Sequence, residues 1–362
     1  MKPNIDFWKN KKVLITGHTG FKGGWLTVLL NLLNSKVFGY ALNPKGKLNF
    51  FNSVNLKKIL KRDIRKNITD LNDLKKNIKK IKPEIIFHLA AQSSVIESFK
   101  NSKNTVYTNI LGTANLLEVL KKQKGVKSLI IITTDKVYQN YKFNKNFNEN
   151  SELGGDDLYS SSKACCELLA KSYKKSFFSK LNCNIATVRA GNCFGGGDWT
   201  DDRIVKDALE NFFSNKNLYL RSPDSTRPWQ HVIEPLVGYL KLAEKLCSPN
   251  GKKFSGPWNF GPSKIQNMKV INLAKLIHKK INSKSKIIIK RKDKRFQNKK
   301  FKVFESKFLN INSRKALKKL NWKPKQSIND SINLTVDWYR AFKKKENLLK
   351  LTENQIKNYF NK

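Results

Sequence analysis

Cysteine and histidine are few in this chain and never fall at metal-binding spacings. The five cysteines (Cys165, Cys166, Cys183, Cys193 and Cys247) are odd in number and scattered, which excludes a disulfide framework, and no CxxC pair suggests zinc. The four histidines form neither HxxxH nor HExxH, so no metal site is expected. No segment approaches the roughly 20 apolar residues of a membrane span. The longest, residues 25–33, is interrupted by Thr27 and Asn31. The N-terminal residues lack the apolar centre of a signal peptide, so a cytoplasmic location is expected, with no membrane partner. No internal repeat is visible. Acids are scarce too: 27 Asp and Glu stand against 72 Lys and Arg, a formal net charge of +45. Such an excess raises nucleic acid as a partner. The lysines, however, run from Lys9 to Lys362 without forming one arm, and no zinc-finger or RNA-recognition signature goes with them. Lysine filling solvent-facing positions is the preferred reading, and no nucleic-acid partner is expected. The positive field would still draw in an anionic small substrate.

The length suits one large α/β domain with a smaller lobe, and 39% hydrophobic residues supply a core. Apolar runs alternate with helical periods. Strands are expected at residues 11–17, 36–42, 59–64, 84–90, 126–134 and 184–189. Helices are expected at residues 20–34, after a cap at Thr69 or Asp70, at 104–122 and at 158–181. Residues 43–55 read as loop. The alternation implies βαβ units and a doubly wound parallel sheet with helices on both faces. The run Leu129-Ile-Ile-Ile132 suits a strand buried on both sides. After about residue 191 the pattern turns irregular, with glycine, proline and tryptophan clusters. Residues 1–190 are therefore expected to form the first domain, with later segments returning to it. Residues 191–345 would form most of a smaller C-terminal substrate-binding lobe, and 346–362 a tail, either a solvent-facing helix or frayed. Residues 279–302 are very basic and expected to be exposed.

Chemistry-bearing residues gather at the ends of these strands. Gly17-His-Thr-Gly20-Phe-Lys-Gly23 follows the first strand and opens a helix. Glycines let the backbone approach a pyrophosphate, and a helix start offers unpaired N–H groups; an ordinary tight turn is the alternative. Tyr159 and Lys163 lie one helical turn apart on one face. An ammonium beside a phenol stabilises the phenolate. Tyr159 is therefore expected to have a lowered pKa and to take a proton from a sugar or alcohol hydroxyl. A dinucleotide on the glycine turn would accept the hydride. Thr133-Thr-Asp-Lys-Val-Tyr138 ends a strand where ligands bind in parallel sheets, or is a plain polar strand end. The second strand ends Ala41-Leu-Asn43 without an acid, so the choice of NAD over NADP is weakly set, although Asn43 can reach a ribose. Asp63 falls where an adenine-contacting acid would stand, or is a solvated strand end. Gly195-Gly-Gly-Asp-Trp199 and Arg227-Pro-Trp-Gln-His-Val232 offer guanidinium for a diphosphate and indole for sugar or base; structural turns and core tryptophans are the alternatives.

Gly17, Gly20 and Gly23, His88-Leu-Ala-Ala-Gln92, Tyr159 with Lys163, and Arg189-Ala-Gly-Asn192 together resemble the extended short-chain dehydrogenase/reductase family, in its nucleotide-sugar branch. Thr134-Asp-Lys-Val-Tyr138, the stretch from Arg189 through Trp199 with Asp202-Arg203, and Arg227-Pro-Trp-Gln-His-Val-Ile-Glu-Pro-Leu236 are similar to the CDP-glucose 4,6-dehydratases. The similarity runs from about residue 9 to residue 340. It implies a Rossmann-type fold, NAD as cofactor and CDP-glucose as substrate. It implies that Tyr159 takes the C4 hydroxyl proton, that Lys163 holds the nicotinamide ribose and that Thr134 binds the C4 oxygen. Asp135 would be the acid for the departing C6 hydroxyl. Lys136 would be the base at C5, where related dTDP-glucose enzymes carry Glu. Hydride returning to C6 would give CDP-4-dehydro-6-deoxyglucose. Gly17, Gly20, Phe21, Lys22, Gly23, Asp63, Ile64, Leu89, Ala90 and Gln92 would line the cofactor, and Asn192, Arg203, Arg227 and His231 the nucleotide-sugar. Residues 45–52 depart from the proline-rich loop of the family. Relatives commonly pair through two long helices, here 104–122 and 158–181, implying a homodimer or homotetramer. The family's products commonly enter surface polysaccharide. The rivals are another nucleotide-sugar 4,6-dehydratase, a 4-epimerase, which needs no acid–base pair beyond Tyr159, and a basic nucleic-acid-binding protein.

Overall fold

The apolar runs of the first half of the chain lie side by side in one parallel sheet. They are seen in a computed structural model that describes residues 2–140, 146–262, 267–290 and 308–362. The strands are β1 (Lys12–Thr16), β2 (Lys36–Ala41), β3 (Arg62–Arg65), β4 (Ile85–His88), β5 (Ser128–Ile132), β6 (Asn184–Ala190) and β7 (Gly256–Phe260). Their order is β3-β2-β1-β4-β5-β6-β7, with every pair parallel. Strand β7 comes from the later half of the chain and pairs Gly256 with Ala186 and Phe260 with Ala190.

Helices cover both faces, which is why β5 is buried along its whole length. Its side chains alternate between two cores: Leu129 and Ile131 pack with Leu14, Ile86 and Leu117, and Ile130 and Ile132 pack with Trp25, Trp258 and Trp338. The helices that matter for the site are α1 (Phe21–Leu32), α2 (Leu71–Ile81), α3 (Gly112–Lys121), α4 (Leu158–Ser176), α5 (Ile204–Phe213), α6 (Ile233–Leu246) and α7 (Leu348–Asn361). Asp70 caps α2 by accepting from Asp73 N at 2.9 Å. The strand order reverses between β1 and β4, so their carboxyl ends open a crevice. Among the described residues no helix is long and apolar enough to cross a membrane.

The structure departs from expectation in four places. The stretch 43–55 is not all loop: Phe50–Ser53 is a helical turn, because the Phe50 ring stacks on Trp25 (5.7 Å) and Trp338 (6.1 Å). The third strand starts late, at Arg62, since Leu56–Ile59 is a 3-10 turn that buries Leu56. The helix expected at 104–122 contains a π-turn, Tyr107–Leu111. That turn aims Asn109 inward, where it donates to Gln92 O (3.0 Å) and Ser162 Oγ (2.8 Å). Finally, of the two expectations for the last residues the helix forms, as α7, but one face is docked rather than turned to solvent: Tyr359 is buried and donates to Glu234 Oε2 on α6 at 2.7 Å. Of the basic stretch 279–302, residues 291–302 lie outside the described residues.

Candidate active site

Three glycines shape the turn after β1 in three different ways. Gly17 holds φ +79°, and a Cβ there would stand 2.6 Å from Ala90 N. A Cβ on Gly23 would stand 2.3 Å from Gly17 O. Gly20 has room: the nearest atom to its Cβ is 3.4 Å away. Gly20 also caps α1 without a side-chain bond. The first and third glycines thus let the chain close on itself, and the second leaves the backbone and the first-turn N–H groups open to a ligand. That cradle fits a dinucleotide pyrophosphate. Across from Gly17 stand Leu89 and Ala90, tied back by Leu89 N to Thr16 O (2.9 Å) and Ala90 N to Thr16 Oγ1 (3.2 Å). Half-buried Phe21 and Lys22 open the helix. The Lys22 ammonium acts electrostatically on Cys193, Asp135 and Lys163, so its field reaches from the glycine turn to the turn after β5.

Thr134, Asp135 and Lys136 leave the carboxyl end of β5, the last two in a 3-10 turn, Asp135–Val137. Thr134 Oγ1 donates to Asp135 Oδ1 (3.1 Å), and Thr134 stands near enough to the Tyr159 phenol to favour its ionised form. Tyr159 and Lys163 lie on the buried face of α4, so strand end and helix face converge. Asp135 Oδ2 is buried with no hydrogen-bond partner among the described residues. Burial raises the Asp135 pKa, against the pull of Lys136, Thr134, Lys22 and Arg227, and so favours a protonated carboxyl. Burial lowers the Lys136 pKa; Asp157 and Asp135 oppose that fall, and Arg203 and Arg227 add to it. A carboxyl shifted toward its protonated form therefore stands beside an amine shifted toward its neutral form, the directions that acid and base roles require. Lys163 donates to Ile132 O at 3.0 Å, and burial lowers its pKa. Tyr159 does not have the lowered pKa expected of it. Burial pushes it up to about 12, and Arg203 and Thr134 offset only part of that, because desolvating the phenolate outweighs its neighbours.

The family described as GDP-mannose 4,6 dehydratase matches residues 14–335. The chain belongs to the GDP-mannose 4,6-dehydratase family. The CDP-glucose 4,6-dehydratase of Salmonella typhimurium is 36% identical over 362 residues, covering 98% of this chain and 97% of that enzyme. The solved UDP-glucose 4-epimerase of Thermotoga maritima, with UDP-glucose, overlays with a TM-score of 0.77 at 21% identity, covering 91% of this chain and 98% of that one. The dTDP-glucose 4,6-dehydratase of Bacillus anthracis, in complex with NAD, overlays at 0.73 and 22% identity, covering 93% and 99%. Both overlays show that the fold is the Rossmann-type α/β fold.

In this member of the GDP-mannose 4,6-dehydratase family, Asp63 is not a solvated strand end. Its carboxylate takes His18 Nε2 (2.9 Å) and Arg65 Nη2 (2.8 Å). Burial holds His18 neutral, with a pKa lowered to about 4. Ile64 faces the core. Gln92 is buried and internally engaged, its Nε2 donating to Ser94 O and Thr105 Oγ1, both at 2.9 Å. Arg227 lines a cavity with Lys136, Asp157 and Ser160, and Arg203, beside α5, acts electrostatically on both Tyr159 and Lys136. Asn192 lies half-buried, its carbonyl accepting from Gln230 N at 3.1 Å. His231 is fully buried, edge-on to Trp25 at 5.4 Å, with its pKa lowered to about 3 by burial. The two indoles are structural as well: Trp229 Nε1 donates to Met268 O (3.0 Å), and Trp199 packs on Tyr339 and Phe342.

Sequence reasoning missed Glu167, one turn beyond Lys163 on the same stripe. Its carboxylate accepts from Arg189 Nε (2.8 Å) and Nη2 (2.9 Å), from Thr133 Oγ1 (2.6 Å) and from Thr187 Oγ1. Arg189 Nη1 continues to Tyr138 Oη at 2.8 Å. This buried network ties β5 and β6 to α4 directly beneath the catalytic turn. A carboxylate repeating the spacing of Tyr159 and Lys163 was the signal available. Asp157, the cap of α4, was missed as well.

Proposed function

We propose that this protein is a CDP-glucose 4,6-dehydratase that uses NAD and forms CDP-4-dehydro-6-deoxyglucose. The observation that carries the reading is Asp135 beside Lys136 at the tip of β5, together with Tyr159: one carboxyl that burial pushes up from its usual range and one amine that burial pushes down. An epimerase has no use for that pair. Identity of 36% across nearly the full length of the Salmonella typhimurium enzyme supports CDP as the nucleotide. NAD, held by the glycine turn with Lys22 and Lys163, would supply a hydride acceptor for C4 and, once reduced, a hydride donor for C6, and its positive charge would favour the Tyr159 phenolate.

Tyr159 takes the C4 hydroxyl proton while Thr134 holds the oxygen. The 4-ketone so formed acidifies the C5 proton, which Lys136 removes. Asp135 gives its proton to the C6 hydroxyl, which leaves as water. Lys163, anchored on Ile132 O, keeps a donor between the phenol and the cofactor ribose. Arg203 and Arg227 suit the substrate diphosphate, and Lys22 suits the cofactor pyrophosphate. A homodimer is part of the proposal: Tyr107, Leu111, Leu168 and Phe177 are exposed along the helices 102–121 and 158–176, an apolar surface that a second copy would cover. So is a cytoplasmic location, where NAD and sugar nucleotides are at hand.

Incubation with CDP-glucose and NAD should give the alkali-induced absorbance of a 4-keto-6-deoxy sugar, and dTDP-, UDP- and GDP-glucose should react far more slowly. CDP-galactose as the product would establish the epimerase instead. Lys136→Met should stall after oxidation with the cofactor reduced; normal turnover would remove Lys136 from the mechanism.

A further inference from the structure

The cap of α4 is also part of the wall of a cavity that Lys136 lines. Asp157 lines that cavity with Lys136, Ser160 and Arg227. Its Oδ1 accepts from Ser160 N (2.9 Å), its Oδ2 from Ser160 Oγ (2.6 Å) and its main-chain oxygen from Ser161 N (2.9 Å). Capping needs one acceptor oxygen, which Asn or Ser would supply as well as Asp. Asp157 therefore brings a charge that the cap does not require, and it lines the same cavity as Lys136. The charged groups around that amine are Asp157 from the start of α4, Asp135 from its own turn, Arg203 beside α5 and Arg227 from the strand Thr226–Pro228; Asp156 also lines the cavity. Two guanidinium groups repel the amine, and Asp157 is the foremost attraction, ahead of Asp135. The same charge opposes ionisation of Tyr159 two residues along.

We propose that Asp157 is a positioning residue of the elimination step, whose charge holds the Lys136 ammonium, before it gives up its proton, in the cavity the two residues share, against Arg203 and Arg227, while its capping oxygen fixes the helix that carries Tyr159. This rests on the assignment of Lys136 as the C5 base. Losing the charge should act in opposite senses on the two half-reactions. Oxidation at C4 gains, because a negative neighbour of the phenolate is gone, and C5 deprotonation loses, because the amine is no longer held in place. A general loosening of the fold would slow both.

The test uses Asp157→Asn, which keeps a capping oxygen, and Asp157→Ser as a second capping variant. Cofactor reduction on adding CDP-glucose is followed in a single turnover, and C5 exchange is followed as deuterium uptake from D2O. Both variants should melt like the wild type and reduce the cofactor at least as fast. Their C5 exchange should be slower at its plateau, with its pH limb moved to lower pH by roughly one unit, because removing a negative neighbour favours the neutral amine. Wild-type exchange with an unmoved pH limb would reduce Asp157 to a cap. Equal slowing of both half-reactions with a lowered melting temperature would do the same. Lys136→Met separates the two assignments: if it exchanges C5 normally, the base itself is misassigned; if it does not, while Asp157→Asn behaves as wild type, only the role of Asp157 falls.

Discussion

Alanine at Gly20 and alanine at Gly23 should fail for different reasons. At Gly23 the added methyl would lie 2.3 Å from Gly17 O, 2.8 Å from His18 Cα and 2.9 Å from Gly17 C, all backbone atoms that cannot swing aside. Overpacking of that kind costs about 1–3 kcal/mol of stability with or without a ligand. At Gly20 the nearest atom is 3.4 Å away, an ordinary contact, and the only cost to the empty protein is a poorer helix cap, up to about 1 kcal/mol. That methyl, however, would stand in the cradle assigned to the pyrophosphate. The same overpacking then falls on binding, where about 1–3 kcal/mol weakens NAD affinity roughly 5- to 150-fold. Urea unfolding without cofactor measures the first quantity, and NAD titration followed by tryptophan fluorescence or calorimetry the second. The reasoning predicts Gly23→Ala as the unstable variant and Gly20→Ala as the stable variant that binds NAD poorly. Unchanged NAD affinity in Gly20→Ala would refute the placement of the cofactor on this turn.

Tyr159→Phe should abolish cofactor reduction by CDP-glucose while leaving the melting temperature near that of the wild type; residual reduction at the wild-type rate would remove the phenol from the chemistry. Arg189→Met leaves the Glu167 carboxylate buried without its cation and should cost about 3–5 kcal/mol in urea unfolding, much of which Arg189→Met with Glu167→Leu should restore. His88 and His231 are held near about 3 and His18 near about 4, against 6.5 in an unfolded chain. The unfolded chain therefore takes up protons first as the pH falls below 6.5. Each histidine then withdraws stability at up to about 1.4 kcal/mol per pH unit until its folded value is reached. The melting temperature should fall from pH 6.5 to pH 4, and less steeply in His231→Gln; a flat wild-type profile would contradict this.

Local spacing carried the parts of the site that could be read from the sequence. Gly17, Gly20 and Gly23 sit within one turn, and Tyr159 and Lys163 one helical turn apart, so neighbours in the chain are neighbours in space. The central strands were legible for a similar reason: runs such as Leu129-Ile-Ile-Ile132 have nowhere to go but a sheet covered on both faces. What depended on distant partners was not legible. Phe50 looks like part of a loop until Trp338 stacks on it. His231 reads as a ligand contact in its string, yet Trp25, far earlier in the chain, encloses it. Tyr159 has the neighbours that lower a phenol pKa, but burial, which no spacing reveals, decides the direction. The pairing of Glu167 with Arg189 joins a helix to a strand and was invisible from either segment alone, although the stripe through Tyr159, Lys163 and Glu167 hinted at it.

The central claim is that one hydrogen moves from C4 to C6 while solvent supplies the hydrogen at C5. CDP-glucose deuterated at C4, turned over in ordinary water, should yield a 4-keto-6-deoxy product with the label on its C6 methyl group; the unlabelled sugar in D2O should gain one deuterium at C5. Label retained at C4 of a recovered CDP-galactose, or a C5 that never exchanges, would contradict the account.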